Sequence, residues 1–234
     1  MAMDEILCDG FGALSLTLPA GAAERFAAYY RLLTERGAVM NLTAITGEEV
    51  VARLHFLDCA ALLRYAPFAG ARVIDVGSGA GFPGLVLKLA EPDIRLTLLD
   101  SQQKRVEFLR EACAALGLSD VVCVHARAEE AAEYRETFDI AVSRAVARLN
   151  LLCELCLPLV RPGGVFLAMK GPDCAEEAAE AENAEKTLGG APGECLRYTV
   201  PGTEVVHSVV RVEKRTATPV GYPRRFAKIQ RNPL

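Results

Sequence analysis

Apolar residues in the first third of the chain recur at the period of a helix, and beyond residue 70 they gather into short unbroken runs. Phe26, Tyr29 or Tyr30, and Leu33 fall on one side of a helical repeat over residues 21–33. Residues 40–45 read as a connection, and Thr46 with Glu49 forms a capping-box pattern ahead of a second apolar run. The helix opened there, to about residue 65, sets Val51, His55, Asp58 and Leu62 along one side. Pro67 and Gly70 then close the helical part.

From residue 71 the pattern predicts strands alternating with helices. Strands are expected at 72–76, at 94–99 running into Asp100, and at 121–125, 138–143 and 165–169. Helices are expected at 83–90, 102–116, 149–160 and 174–188. The helix at 102–116 carries Val106, Leu109, Cys113 and Leu116 on one stripe and stops at Gly117. Residues 161–164, Arg-Pro-Gly-Gly, read as a turn, and two last strands at 195–200 and 205–213 are joined by Pro201-Gly202. Alternation alone gives a doubly wound α/β sheet. The terminal hairpin narrows this to the class I methyltransferase order, a mainly parallel seven-stranded Rossmann-like sheet whose last strand is antiparallel. Residues 1–68 are then an N-terminal helical cap, and 69–234 the core with a basic C-terminal tail.

Composition changes this picture little. The 234 residues carry a net charge of −4, which argues against a general nucleic-acid binder. The distribution says more: Glu176, Glu177, Glu180, Glu182 and Glu185 crowd one segment, while Arg211, Lys214, Arg215, Arg224, Arg225, Lys228 and Arg231 crowd the C-terminus. Such asymmetry suits either a polyanionic partner or a solvated charged surface. No apolar run approaches the ~18 residues of a membrane span, and the acidic start lacks the basic opening of a secretory signal. A cytoplasmic protein without membrane contact is expected. The eight cysteines sit mostly in apolar patterns and read as buried thiols. Cys153 and Cys156 have zinc-like spacing, but no second pair completes a four-ligand site, so no metal is expected.

The candidate chemistry starts at residues 73–84, VIDVGSGAGFPG. A strand runs into Gly77, Gly79 and Gly81, and Pro83 opens a helix, which is the nucleotide-binding corner of a doubly wound sheet. A dinucleotide fingerprint needs G-x-G-x-x-G; Gly77 and Gly79 fit, but Phe82 stands at the third position. G-x-G-x-G instead suits S-adenosylmethionine, which has no phosphate to hold. Asp100 ends the next strand twenty-three positions after Gly77, near the ~20-residue spacing at which an acid reaches ribose hydroxyls. It also suits the N-cap region of the following helix. Ala128-Glu129 follows the third strand, where an adenine ring would lie; Glu129 equally suits a solvated helix start. Arg144 and Lys170 end the fourth and fifth strands, where side chains face cofactor and substrate. His55 with Asp58 suits an ion pair or packing, and His125 and His207 read as core or surface residues.

Several motifs stand in order: NLTA at 41–44, HFLD at 55–58, VGSGAGFPG at 76–84, LDS at 99–101 with Lys104-Arg105 and Phe108-Leu109, SRA at 143–145, MKG at 169–171, and YPRR at 222–225 ahead of the final NPL. Together they closely resemble the RsmG (GidB) family of bacterial small-subunit ribosomal RNA methyltransferases over nearly the whole chain. One departure is Cys59, where the family usually has Ser. The resemblance implies S-adenosylmethionine-dependent methylation of guanine N7 in the 530 loop of 16S rRNA. By the same carry-over Gly77, Phe82, Ala128, Glu129 and Arg144 match cofactor positions, beside Gly79 and Asp100 from the residues themselves.

Guanine N7 offers a lone pair and no proton, so alignment rather than a general base is expected to carry the reaction. Arg144 or Lys170 is then the group to hold guanine O6 or a nearby phosphate. Arg211, Lys214, Arg215, Arg224, Arg225 and Lys228 are expected on RNA phosphates. The substrate is expected to be 16S rRNA, free or within a small-subunit particle, and the protein a monomer. A small-molecule methyltransferase, a non-catalytic RNA-binding or ribosome-assembly protein on the same fold, and a NAD-dependent oxidoreductase are the alternatives.

Overall fold

The computed structural model describes residues 2–40 and 47–234, with backbone alone for 37–40. The expected connection at 41–45 and the expected capping residue Thr46 lie outside the described residues. Helix α1 (Met3–Ala13) and α2 (Ala22–Met40) are followed by a helical segment that changes pitch three times. It is α-helical over α3 (Glu48–Val51), π-helical over Ala52–Leu57, α-helical again over α4 (Asp58–Ala60) and 3₁₀ over Ala61–Arg64. Pattern reading treats this stretch as one regular helix. The widened π turn instead rotates His55 and Asp58 relative to an α-helical register, a distortion frequent at functional sites.

The seven-stranded sheet has the order β3-β2-β1-β4-β5-β7-β6. Its strands are β1 (Arg72–Val76), β2 (Arg95–Asp100), β3 (Val121–His125), β4 (Phe138–Arg144), β5 (Val160–Lys170), β6 (Glu194–Thr199) and β7 (Val206–Glu213). The first five pair in parallel, and β7 is antiparallel to both β5 and β6. Central β1 and β4 are apolar runs because helices cover both faces. One difference from the sequence reading is the Arg-Pro-Gly-Gly turn. Val160 already pairs with Phe138, and pairing resumes at Val165 with Ile140, so residues 161–164 form a bulge inside β5. Gly163 and Gly164 exchange hydrogen bonds with Lys214 across that bulge, which keeps its backbone groups satisfied.

Two apolar clusters fill the two faces. Ile6, Phe11, Phe26, Tyr29 and Phe56 of the N-terminal helices join α5 (Gly84–Ala90), α6 (Gln103–Ala115) and the Val73, Leu96 and Val142 side of the sheet. On the other face Ile74, Ala141, Phe166 and Val210 pack on α7 (Leu149–Cys156), α8 (Ala175–Thr187) and α9 (Phe226–Arg231). Cys153 and Cys156 are buried in the latter cluster. Among the described residues no helix is long and apolar enough to cross a membrane. The N-terminal helices therefore share a core with the sheet, and the rings of Tyr29, His55 and Phe56 reach Phe82 of the glycine loop.

Candidate active site

Gly77, Gly79 and Gly81 all have positive φ, at 76°, 58° and 99°, a conformation side chains resist. The space around them differs. A Cβ on Gly81 would meet the Tyr29 hydroxyl, which donates to the carbonyl of Ala80 and ties α2 to the loop. Among the described residues a Cβ on Gly79 would meet nothing closer than the Gly77 carbonyl at 3.9 Å, so the loop presents an open face to them there. Below it, Asp75 is fully buried: Oδ2 accepts from the Gly84 N–H at 2.9 Å, and among the described residues Oδ1 has no partner. Burial pushes the Asp75 carboxyl up to about 7, against the Gly84 hydrogen bond that favours the anion. Sequence reasoning passed over Asp75; its signal was an acid inside a strand otherwise buried and apolar.

Asp100 binds the loop itself. Its Oδ2 accepts from the Gly79 N–H at 2.9 Å and its Oδ1 from the Gln102 N–H at 2.8 Å. The expected capping role is thus occupied, and each carboxylate oxygen keeps a second lone pair for a hydroxyl. Ala128 is buried after β3, and Glu129 pairs with Arg127, whose guanidinium lies 4.4 Å from the Phe226 ring centroid of α9.

Phe82 links the loop to a second cluster. Its ring stacks with His55 at 4.4 Å between centroids, contacts Tyr29 at 5.6 Å and carries the Arg144 guanidinium at 4.8 Å. Arg144 Nη2 donates to His55 Nδ1 at 2.8 Å, and Nη1 lies 3.5 Å from Asp58 Oδ2. Burial and the neighbouring Arg144 push His55 down to about 3, so its ring is neutral and serves as an acceptor. Asp58, 2% exposed, is the hub: Oδ1 also accepts from the Tyr198 hydroxyl at 2.7 Å and pairs with His207 Nδ1 at 2.8 Å. The π segment, α4, β4, β6 and β7 are thereby joined through the Arg144 guanidinium and the Asp58 carboxylate. His55 and Asp58 are joined through Arg144 rather than to each other, and His207 belongs to this cluster rather than to an anonymous strand.

His55, Asp58, Arg144, Met169, Lys170 and His207 line a cleft of about 410 Å³ beyond the carboxyl ends of β4 and β5, where α/β sheets bind ligands. A larger cleft of about 770 Å³ lies at the opposite edge of the sheet, against Ala71, Asp139 and Arg161. It is the less suited to chemistry because the glycine loop and the His55, Asp58 and Arg144 cluster are at the other end. Lys170 reaches the active cleft, but its ammonium is committed to the carbonyl of Ala147 at 2.9 Å and to Glu177 at 2.7 Å. In this structure it anchors the loop that follows Arg144.

The basic C-terminal residues divide. Lys214 is 1% exposed and donates to the carbonyl of Leu157 and to Thr218, and burial lowers its ammonium to about 8. Arg224 is bonded through Nε and Nη2 to fully buried Glu154. Burial of Lys214 takes it away from an RNA surface, and Arg224, with its side chain 10% exposed, is committed to Glu154. Because β7 runs antiparallel, Arg211 and Arg215 fall beside the larger cleft, away from the glycine loop. Arg211 is further tied to the carbonyl of Tyr65 and to Glu213. Arg225, just before α9, and Lys228 on it are exposed, and Phe226 of α9 sits under Arg127, two residues beyond β3.

A family described as GidB, rRNA small subunit methyltransferase G, matches residues 22–198. The ribosomal RNA small subunit methyltransferase G of Alkaliphilus oremlandii is 43% identical, with 100% of each chain covered. That of Alkaliphilus metalliredigens is 44% identical over 98% of each. A SAM-dependent methyltransferase from Aquifex aeolicus shares the fold, with a TM-score of 0.54 and 18% identity over 69% of this chain and 92% of that one. A matching model over three quarters of the chain and relatives of this identity along its full length agree: the chain belongs to the GidB family, rRNA small subunit methyltransferase G.

Proposed function

We propose that this protein uses S-adenosylmethionine to methylate N7 of a guanine in the 530 loop of 16S ribosomal RNA. The observation that carries it is Arg144: one guanidinium rests on Phe82 of the glycine loop and forms the wall of the neighbouring cleft. Methyl donor and acceptor sites then share a wall, as a direct transfer between them requires. The open face over Gly79, the second lone pairs of Asp100 and the orphaned Asp75 oxygen fit a ligand with ribose hydroxyls and an ammonium. When bound, S-adenosylmethionine supplies a methyl group on a sulfonium. Gly77, Gly79, Phe82, Asp100, Ala128, Glu129 and Arg144 are the residues to hold it.

N7 needs no deprotonation, and His55, neutral and turned to Arg144, is not placed as a base. The chain's contribution is orientation, which is worth up to ~7–11 kcal/mol in well-aligned systems. Arg144, with both ends fixed, holds its position without reorganising during the reaction. Mapping methylated guanines in 16S rRNA with and without the protein tests the reading, and radiolabel transfer to naked RNA and to 30S particles identifies the form of the substrate. Absence of any 16S guanine that depends on the protein would overturn it. The protein acts as a cytoplasmic monomer in this reading.

Gly79→Ala is expected to leave the fold nearly intact, since among the described residues its Cβ meets nothing closer than 3.9 Å and the positive φ costs ~1–2 kcal/mol. Calorimetric affinity for S-adenosylmethionine should nevertheless fall about tenfold, because the methyl stands on the open face; ~1.4 kcal/mol of lost contact suffices. RNA affinity should fall with salt, with a slope set by the phosphates neutralised. Replacing Arg225 and Lys228 by Ala is expected to reduce that slope by about one unit per lost contact. Arg215→Ala, at the far edge, is expected to leave it unchanged in the same titration.

A further inference from the structure

His207 brings to the cleft a ring nitrogen, Nε2, that does not take part in the contact with Asp58. His207, the second residue of β7, points Nδ1 at Asp58 Oδ1, 2.8 Å away, with its ring edge-on to Tyr198 at 6.4 Å. Its side chain is 30% exposed and lines the 410 Å³ cleft. Among the described residues Nε2 makes no hydrogen bond. Asp58 Oδ1 accepts from Nδ1–H, so that whenever the ring is neutral its Nε2 is an acceptor.

Placement along the sheet decides what that acceptor can meet. Arg144 pairs with Met169 and Met169 with Val209, so β4, β5 and β7 stand side by side above the cleft floor. Two strand spacings, ~10 Å, separate the Arg144 strand from the His207 strand. A purine laid across the end of β5 spans that gap with a hydrogen bond to spare. With N7 turned toward the methyl-donor corner at β1 and β4, the opposite edge of the base faces β7. In guanine that edge carries the N1–H and N2 amino donors, and adenine has an acceptor at N1. We propose that His207, oriented by Asp58, reads the acceptor base by accepting a hydrogen bond from the N1–H/N2 edge of guanine. This inference rests on the reading of the protein as a guanine-N7 methyltransferase and names the residue that selects the base.

The groups facing His207 are Asp58 from α4, Tyr198 from β6, Arg144 from β4, Lys170 from β5 and His55 from the π segment. The Asp58 hydrogen bond raises the His207 pKa above its ordinary value, against burial and Arg144, which lower it. As pH falls through that raised value Nε2 gains a proton and becomes a donor, mismatched to the donor edge of guanine. RNA methylation is therefore expected to weaken toward acid pH through KM, and His207→Phe is expected to lose this acid limb.

The decisive test crosses enzyme and substrate changes. A 16S RNA fragment is prepared with guanine, inosine (no N2 amino group) or 1-methylguanine (no N1–H) at the target, and kcat/KM is measured for the natural enzyme, His207→Ala and His207→Phe. The natural enzyme should prefer guanine to one of the analogues by about tenfold, the worth of one neutral hydrogen bond. Both variants should lose that preference, so that enzyme and substrate changes do not multiply. Equal rates of the natural enzyme on all three bases would overturn the proposal without any variant. So would variants that keep the full preference, which a purely structural His207 would allow. If the natural enzyme fails to methylate the guanine fragment and 30S particles alike, the methyltransferase reading fails instead.

Discussion

Asp58→Ala is expected to lose about a hundredfold in kcat/KM for RNA methylation and to lower folding stability by about 3 kcal/mol. The carboxylate is 2% exposed and serves Arg144, Tyr198 and His207 at once. Removing one member of a buried ion pair costs ~3–5 kcal/mol, because the remaining charge is left desolvated. Arg144 and His207 are partly exposed, at 17% and 30%, so water offsets part of that loss and the low end applies. The Tyr198 hydroxyl is also left without its acceptor, a penalty of ~1–3 kcal/mol on its own. The catalytic loss follows from geometry: a guanidinium bonded to His55 alone can swing about that bond, and ~2.7 kcal/mol of misalignment is a hundredfold in rate. Asp58→Asn retains one acceptor and the same volume, and should fall between the two. Denaturant unfolding and single-turnover methylation on the same preparations check both numbers. An Asp58→Ala enzyme of full activity would remove the hub from the mechanism.

Much of the fold was legible because its signals are local. The β1 run into Gly77, the stripe of α6 and the hairpin at Pro201-Gly202 each depend on residues within one element. The glycine loop was legible for the same reason, since φ values of 58–99° at Gly77, Gly79 and Gly81 leave few residue choices. The cluster around Arg144 was not. Its members come from the π segment, α4, β4, β6 and β7, and no spacing rule joins His55 to His207 across 152 positions. The basic tail was illegible for another reason: counting cations reveals neither strand direction nor burial. An antiparallel β7 carries Arg211 and Arg215 away from the cofactor end, and Lys214 turns inward among Leu157, Thr218 and Glu136.

Arg224 is where the two readings give opposite results. As an RNA contact, Arg224→Ala would weaken binding, flatten its salt dependence and leave the melting temperature alone. The structure instead places its guanidinium on Glu154, which is fully buried in α7 among Cys153, Leu155 and Cys156. The Arg224 backbone N–H donates to the same carboxylate at 2.8 Å, so side chain and main chain both fix the returning tail. Arg224→Ala leaves Glu154 charged and unpaired in an apolar layer, at a cost of ~3–5 kcal/mol. For a chain of this length each kcal/mol moves the melting temperature by ~2–4 °C, so a fall of about 10 °C is expected. Arg224→Leu combined with Glu154→Leu should recover most of it, because replacing a buried pair by apolar residues is often neutral or stabilising. Loss of the pair also loosens the approach to α9, so exposed Arg225 and Lys228 should become more accessible to protease in the single variant and less so in the double one. A cooperative melting curve that is unchanged in Arg224→Ala, with a reduced salt slope for RNA, would return Arg224 to the RNA surface.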